Sequence, residues 1–385
     1  MNSKIKRIAV NVGSGFVPGL NAVILGAALA GGKLGWDLVG IRDGFEGLLY
    51  PERYPDGGMV SLNPQRIENL DPAAGGILGQ SPRTDPFHVR RLNEDDMVEE
   101  VDMSDHLLER LRSEQIDGVI SIIGGRGLSI FYKLQRKGLT TVCIPRSIEN
   151  DIAATSVSFG FNSALSFTIE MLDRVRQAAQ SARQIGVVEV LGREAGWLAL
   201  QAGIAVCADA VLVPEIPCDL SLVAERLQKK ITPRRPYALV VAAEGTHFSD
   251  DLPVNKPSST LKASLAPLAT DITGDNIIEP SGRVAQTVAN KLQLLMAEDT
   301  HALALGPWVK GGTPTAVDRQ LGLLYGAGAI RALNAGQDGV MVAFNPPDME
   351  FVPLDEAINK TRTVPTKSEF IQIARSLDIC LGREL

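Results

Sequence analysis

The sequence predicts an α/β protein built as two αβα lobes with mainly parallel, doubly wound sheets. Three observations carry that expectation. Short runs of consecutive apolar residues, such as Ala238-Leu239-Val240-Val241-Ala242-Ala243, alternate with longer helical patterns, as strands buried on both faces do. Glycine-rich turns follow the first strands, at Gly13-Ser14-Gly15 and Gly124-Gly125-Arg126-Gly127, the usual strand-to-helix connection of a parallel sheet. The strand–helix series then starts afresh after one long helical stretch.

In chain order, residues 8–12 are expected as a strand, 13–19 as its turn and 20–34 as a helix. Such a turn lets backbone approach a ligand and aims free N–H groups at an anion, which makes Gly15 a candidate phosphate contact. Residues 118–123 are expected as a second strand, 124–129 as a turn and 130–137 as a helix, with a third strand at 140–144. A helix is expected over 163–183. Strands at 185–190, 210–213 and 238–243 follow, ending at Leu191-Gly192-Arg193-Glu194, Pro214-Glu215 and Glu244-Gly245. The segments 50–105 and 249–274, rich in Pro, Gly and charge, read as irregular insertions, and the acidic run within 94–105 as a solvated helix face. The expected lobes are residues 1–160 plus about 309–358, and 161–308 plus about 359–385, with strand ends facing a shared cleft.

A net charge of −7 argues against nucleic-acid or anionic-membrane partners, which require a basic face. No apolar run is long enough to span a bilayer, and the N-terminal stretch reads as a first strand rather than a signal peptide. Cys143, Cys207, Cys218 and Cys380 lack zinc or disulfide-framework spacing, so a reducing cytoplasmic setting is expected. His88, His106 and His247 lie in polar stretches without ligand spacing and read as surface residues, whereas Trp36 and Trp197 read as core.

The densest chemistry lies in Pro145-Arg146-Ser147-Ile148-Glu149-Asn150-Asp151-Ile152, at the end of the third strand. Two carboxylates, a guanidinium, a hydroxyl and an amide converge where open α/β sheets bind ligands. Phosphoryl transfer asks for that set: a positioned base and matched electrostatics rather than covalent work.

With the segments around it, this run resembles the phosphofructokinase family. Pro18-Gly19-Leu20-Asn21-Ala22 resembles its first phosphate turn, and Gly75-Gly76-Ile77-Leu78-Gly79-Gln80-Ser81-Pro82-Arg83 the loop whose terminal arginine reaches the transferred phosphate. Ser147-Ile148-Glu149-Asn150-Asp151 resembles the catalytic Thr-Ile-Asp-Asn-Asp, and Leu191-Gly192-Arg193 the Met-Gly-Arg of the sugar site. Ala243-Glu244-Gly245 and residues 305–314, with Asp318-Arg319, complete the order. The resemblance implies two Rossmann-like lobes and phosphoryl transfer from ATP or pyrophosphate to fructose 6-phosphate. It also implies a homodimer or homotetramer whose sugar site is completed by a neighbouring subunit. It assigns catalysis to Glu149, Asp151, Arg83, Arg193 and Ser147. Donor phosphates fall to Gly15, Gly124, Gly125, Arg126, Gly127 and Arg146, and the sugar phosphate to Leu191, Gly192, Arg193, Glu244, His301 and Lys310.

Several ligand-facing positions depart from the family pattern. Glu149 stands where the family has an aspartate base; its extra methylene moves the carboxylate by about 1.5 Å, and a misplacement near 1 Å costs on the order of 100-fold in rate. Arg126 replaces a magnesium-holding aspartate and cannot ligate a cation, and Phe16 replaces an acidic residue of the first turn. Magnesium at its usual position is therefore in question, and no residue is assigned to a metal. Gly127 matches ATP users, whereas Arg146 lies where pyrophosphate users have a lysine. Pro307 and Lys310 replace a histidine or tyrosine and an arginine, and Gln184 and His301 replace phosphate-holding arginines. Two readings stay open: an active phosphotransferase with retuned specificity, or an impaired relative that binds phosphometabolites as a regulatory or assembly subunit. A dinucleotide-dependent dehydrogenase is disfavoured because Gly13-Ser14-Gly15 lacks the full glycine spacing.

Overall fold

The computed structural model describes residues 6–63, 67–81, 85–92, 97–249 and 282–383. Along the chain the strands are β1 (Arg7–Val12), β2 (Asp37–Ile41), β3 (Met59–Ser61), β4 (Val89–Leu92), β5 (Val98–Val101), β6 (Gly118–Ile123), β7 (Thr141–Ser147) and β8 (Phe159–Gly160), then β9 (Ile185–Val190), β10 (Ala210–Leu212), β11 (Ala238–Ala243), β12 (Thr300–Ala304), β13 (Val340–Asn345) and β14 (Asp348–Pro353). An eight-stranded sheet runs β14-β13-β7-β6-β1-β2-β3, with β8 beside β7. Its interior pairs are parallel and its two edges, β3 and β14, antiparallel. A four-stranded sheet, β10-β11-β9-β12, is parallel throughout.

Every residue of β6, β9 and β11 is buried, in keeping with their largely apolar sequences; Glu189 of β9 is the charged exception, and its carboxylate accepts from the Gly282, Val284 and Ala285 N–H groups. The helix Leu20–Lys33 packs against Ala316–Asn334 with backbone almost touching backbone. A Cβ built on Gly326 would overlap the Val23 carbonyl oxygen, and one built on Gly26 the Leu323 carbonyl. That close seam seats the turn after β1 against the sheet.

Three expectations need correction. Residues 50–105 are not an irregular insertion: they hold β3, the β4–β5 hairpin and the start of the helix Ser104–Ser113. Their strands are too short for a clear period, and the hairpin is held by cross-strand pairs such as Arg91–Glu99 at 2.6 Å. Glu99 and Glu100 therefore lie on a strand, not a helix face; residues 94–96 and most of 249–274 lie outside the described residues. The stretch 124–129 is not a separate turn either, since the helix Gly125–Arg136 starts at its second glycine. Finally, β7 runs on through Arg146 and Ser147, so the key motif begins inside the strand. Trp36 and Trp197 are buried, and His88, His106 and His247 are exposed, as expected.

Gly326→Ala should lower stability by about 1–3 kcal/mol through overpacking, whereas Leu324→Ala, on the exposed side of the same helix, should cost about 1 kcal/mol or less. Urea denaturation followed by circular dichroism checks this, and equal midpoints would contradict the close-seam account.

Candidate active site

The site forms where β7 of the large sheet and β9 and β11 of the small one end. At the close of β7 the Ser147 hydroxyl donates to Asp151 Oδ1 at 2.6 Å and accepts from the Glu149 N–H at 3.0 Å. One short side chain thus sets the geometry of both carboxylates. Asn150 between them takes a left-handed conformation, φ 55°, which is costly for a residue other than glycine. Its side-chain oxygen accepts from the Ser158 N–H at 3.0 Å, which holds the turn.

Across the joint, Glu149 Oε2 accepts from the Arg193 backbone N–H at 3.4 Å. The Arg193 side chain pairs with Glu244, Nε to Oε1 3.4 Å. Glu244 is placed by its N–H bond to the Val190 carbonyl, and Gly245 by one to Gly192. Gly245 must be glycine here, because a Cβ would overlap the Arg193 carbonyl oxygen. Leu191 and Gly192 contribute the backbone of this corner. Burial, then the nearby Asp151 and Glu244 carboxylates, push the Glu149 carboxyl up to about 7, against the opposing pull of the Arg193 N–H and the Lys310 charge.

The residues expected at the donor phosphates lie beside it. Gly15, Gly124 and Arg146 meet where β1, β6 and β7 end: Ile123 pairs with Pro145 in register, and a Cβ at Gly15 would come within 3.7 Å of Arg146 Nη2. Arg146 is buried, with Nε and Nη1 lacking hydrogen-bond partners among the described residues, and burial lowers its pKa to about 10. It stays charged at neutral pH and is available to an anion. Gly125, Arg126 and Gly127 form the first turn of the helix Gly125–Arg136, with Arg126 exposed. Gly127 packs so tightly on Ile123 that a Cβ would overlap it. Its smallness therefore has a packing cause and says little about the donor. Phe16 stacks its edge toward Gly75, whose Cβ would lie 3.6 Å from the ring.

The structure thus brings together Ser147, Glu149, Asp151, Arg193, Glu244 and Lys310, with the donor-side residues adjoining. It does not bring His301 to them. His301 pairs with Gly186 near the start of β9, about 16 Å along the strand from Leu191 at roughly 3.3 Å per residue. There it lines a separate cavity with Arg174 and Gln184. Arg83 lies outside the described residues. Sequence reasoning missed Arg362, whose Nη1 donates to the Asn150 carbonyl at 3.1 Å; no motif marks it. It also missed the ordering role of Asn21, which bonds Asp71 and Ile77 of the following loop.

The phosphofructokinase family model matches residues 7–333. The ATP-dependent 6-phosphofructokinase of Chloroflexus aurantiacus is 34% identical over 389 residues, covering all of both chains. The pyrophosphate–fructose 6-phosphate 1-phosphotransferase of Amycolatopsis methanolica is 34% identical over 361 residues, 93% of this chain and 96% of that protein. Among solved structures, the pyrophosphate-dependent phosphofructokinase of Nitrosospira multiformis superposes with a TM-score of 0.73 at 18% identity, over 97% of this chain and 91% of that one, a likeness of fold. The motif order and the geometry of the strand ends agree with these matches: the chain belongs to the phosphofructokinase family.

Proposed function

We propose that this chain is a phosphotransferase that moves a phosphoryl group from ATP or pyrophosphate to fructose 6-phosphate or a related sugar phosphate, with an altered metal site. The observation that supports it most is Glu149, a carboxyl raised to about 7 between the Arg193–Glu244 pair and the motif carboxylate Asp151. A base with a pKa near the working pH accepts a proton with useful driving force.

In this reading Glu149 takes the proton of the sugar hydroxyl as that oxygen bonds to the terminal phosphorus, while the bond to the leaving phosphate breaks and its electron pair departs with the leaving oxygen. Arg193 and Glu244 orient the sugar, with Lys310 supplying positive charge at its phosphate end. Asp151, fixed by Ser147, orients the reacting groups, and Arg146 meets the donor's oxygens with two N–H groups that have no partner among the described residues. Arg83 is assigned the transferred phosphate by family resemblance. The lobe built on the large sheet takes the donor, and the lobe built on the small sheet takes the sugar.

The donor side fits a resident magnesium ion poorly. Arg126 offers no lone pair to a cation, and among the described residues no group of three or more His, Cys, Asp or Glu is arranged to hold a metal. Arg146 and the N-terminus of the helix Gly125–Arg136 supply positive charge there instead. A cytoplasmic homodimer or homotetramer completes the proposal, with His301 serving a neighbouring subunit's sugar site.

A matrix of donors against sugar phosphates on the purified protein tests this reading. Product is expected with at least one of ATP or pyrophosphate, and Glu149→Gln should lower kcat by about 10²–10⁴-fold with KM values little changed; an unaltered kcat would exclude Glu149 as base. No product in any combination, alongside a melting shift with the same ligands, would favour the phosphometabolite-binding subunit.

The pH dependence follows from the same group. Turnover should rise with pH through about 7 as Glu149 loses its proton; a limb centred near the ordinary 4.5 would remove the buried-base argument. Stability should run the other way. The folded state holds this proton more tightly than the unfolded chain, so the benefit is full below about 4.5 and lost as pH rises to about 7. Glu149→Gln should therefore gain on the order of 2 kcal/mol over the native protein between acid and pH 8. Thermal denaturation at both pH values checks this, and a difference independent of pH would contradict it.

A further inference from the structure

A short strap near the C-terminus holds both halves of the site at once. Thr361 forms an isolated antiparallel bridge with Ile152, and the Arg362 N–H donates to the Asp151 carbonyl at 2.7 Å. From the other side, the Trp197 indole N–H donates to the Arg362 carbonyl at 2.8 Å. Trp197 opens the helix Trp197–Ala205, which follows directly from the Arg193 corner. The Arg362 guanidinium repeats this bridging with its side chain: Nη1 donates to the Asn150 carbonyl at 3.1 Å, while Cζ lies over the Trp197 ring, 4.1 Å from its centroid.

We propose that Arg362 is a positioning residue of the transfer site, clamping the left-handed Asn150 peptide on one side and the Trp197 indole on the other so that Glu149 and the Arg193–Glu244 pair face one substrate at a fixed separation. This rests on the phosphotransferase reading above. Two features make the clamp more than a local contact. Asn150 sits in a backbone conformation that persists only where its surroundings over-determine it, and the Arg362 bond to its carbonyl is one of those constraints. The guanidinium is half-buried and burial alone lowers its pKa, so its charge acts on a carbonyl dipole and an aromatic face, interactions that depend on its planar fork. Neighbouring residues reinforce the grip on the Trp197 side. Thr361 Oγ1 donates to Glu194 at 2.6 Å, and the Val364 N–H donates at 2.7 Å to Glu215, which also accepts from the Gly196 N–H.

The test compares Arg362→Ala and Arg362→Lys with the native protein by steady-state kinetics and by hydrogen exchange of the segments 146–152 and 192–197. For the alanine variant, kcat should fall on the order of 100-fold with both KM values within about threefold, and exchange should quicken in both segments while β6 and β11 keep their protection. Lysine restores one donor and the charge but not the flat stack, so it should recover part of kcat. An unchanged kcat, a change in KM alone, or faster exchange in only one segment would overturn the proposal. If the alanine variant does not fold, Arg362→Lys and Trp197→Phe carry the same comparison, each expected to lower kcat and quicken exchange in both segments. If the native protein transfers no phosphate from any donor, the phosphotransferase reading fails by itself; the exchange measurements still decide whether Arg362 couples the two segments.

Discussion

The rest of the site depends on one electrostatic constraint: three carboxylates, Glu149, Asp151 and Glu244, are close enough at the meeting of two sheets to feel one another. Like charges in a partly dry setting repel strongly, so the cluster persists only because each member has its own restraint. Asp151 is held by the Ser147 hydroxyl at 2.6 Å, Glu244 by the Arg193 side chain and Glu149 by the Arg193 N–H, the last two at 3.4 Å. Glu149 feels both of the other carboxylates, and burial together with their charge raises its proton affinity. Strain and reactivity are thereby concentrated on one atom pair, in the manner of sites that give up stability for function.

Glu149 also changes how the two halves meet. An aspartate at 149 would end about 1.5 Å short, the length of one carbon–carbon bond, and would leave the Arg193 N–H facing a gap. The extra methylene lets a residue anchored at the end of β7 reach backbone belonging to the end of β9. What looks in the sequence like a displaced base is, in three dimensions, a cross-sheet contact. The same joint is closed from outside by the strap at 361–364, so the separation across it is fixed by backbone on one side and by a carboxylate on the other.

Much of this was legible before any coordinates. The parallel sheets follow from β6, β9 and β11, whose largely apolar runs fit strands buried on both faces, and the crowded motif at 147–151 is where polar groups at a buried strand end had to converge. Other parts were not legible for definite physical reasons. β2 and β3 are too short for their periodicity to rise above the surrounding glycines and charges. Arg362 lies more than two hundred residues from Asn150 in the chain, and its partners are a carbonyl and an indole, groups that leave no spacing pattern. The reason for Gly127 could not be read either, because the Ile123 side chain that excludes a Cβ comes from the preceding strand end. His301 carried a family-derived role that spacing could not check, and only the β9–β12 register puts it far from the Glu149 cluster of its own chain.

In the proposed reading the donor meets positive charge at the ends of β1, β6 and β7, and the local structure gives a reason for it. The first turn of the helix Gly125–Arg136 contains no acidic residue, so the N–H groups at its N-terminus favour an anion over a cation. Arg146 sharpens the contrast, since a buried guanidinium with two nitrogens unpartnered among the described residues is costly in the absence of a ligand. Phosphate oxygens relieve that cost directly, through forked hydrogen bonds that a spherical ion cannot make. In the proposed reading, then, part of the binding energy for the donor comes from relieving a penalty built into the empty protein. The ligand favoured on these grounds is the one that brings the most oxygen charge into the smallest volume.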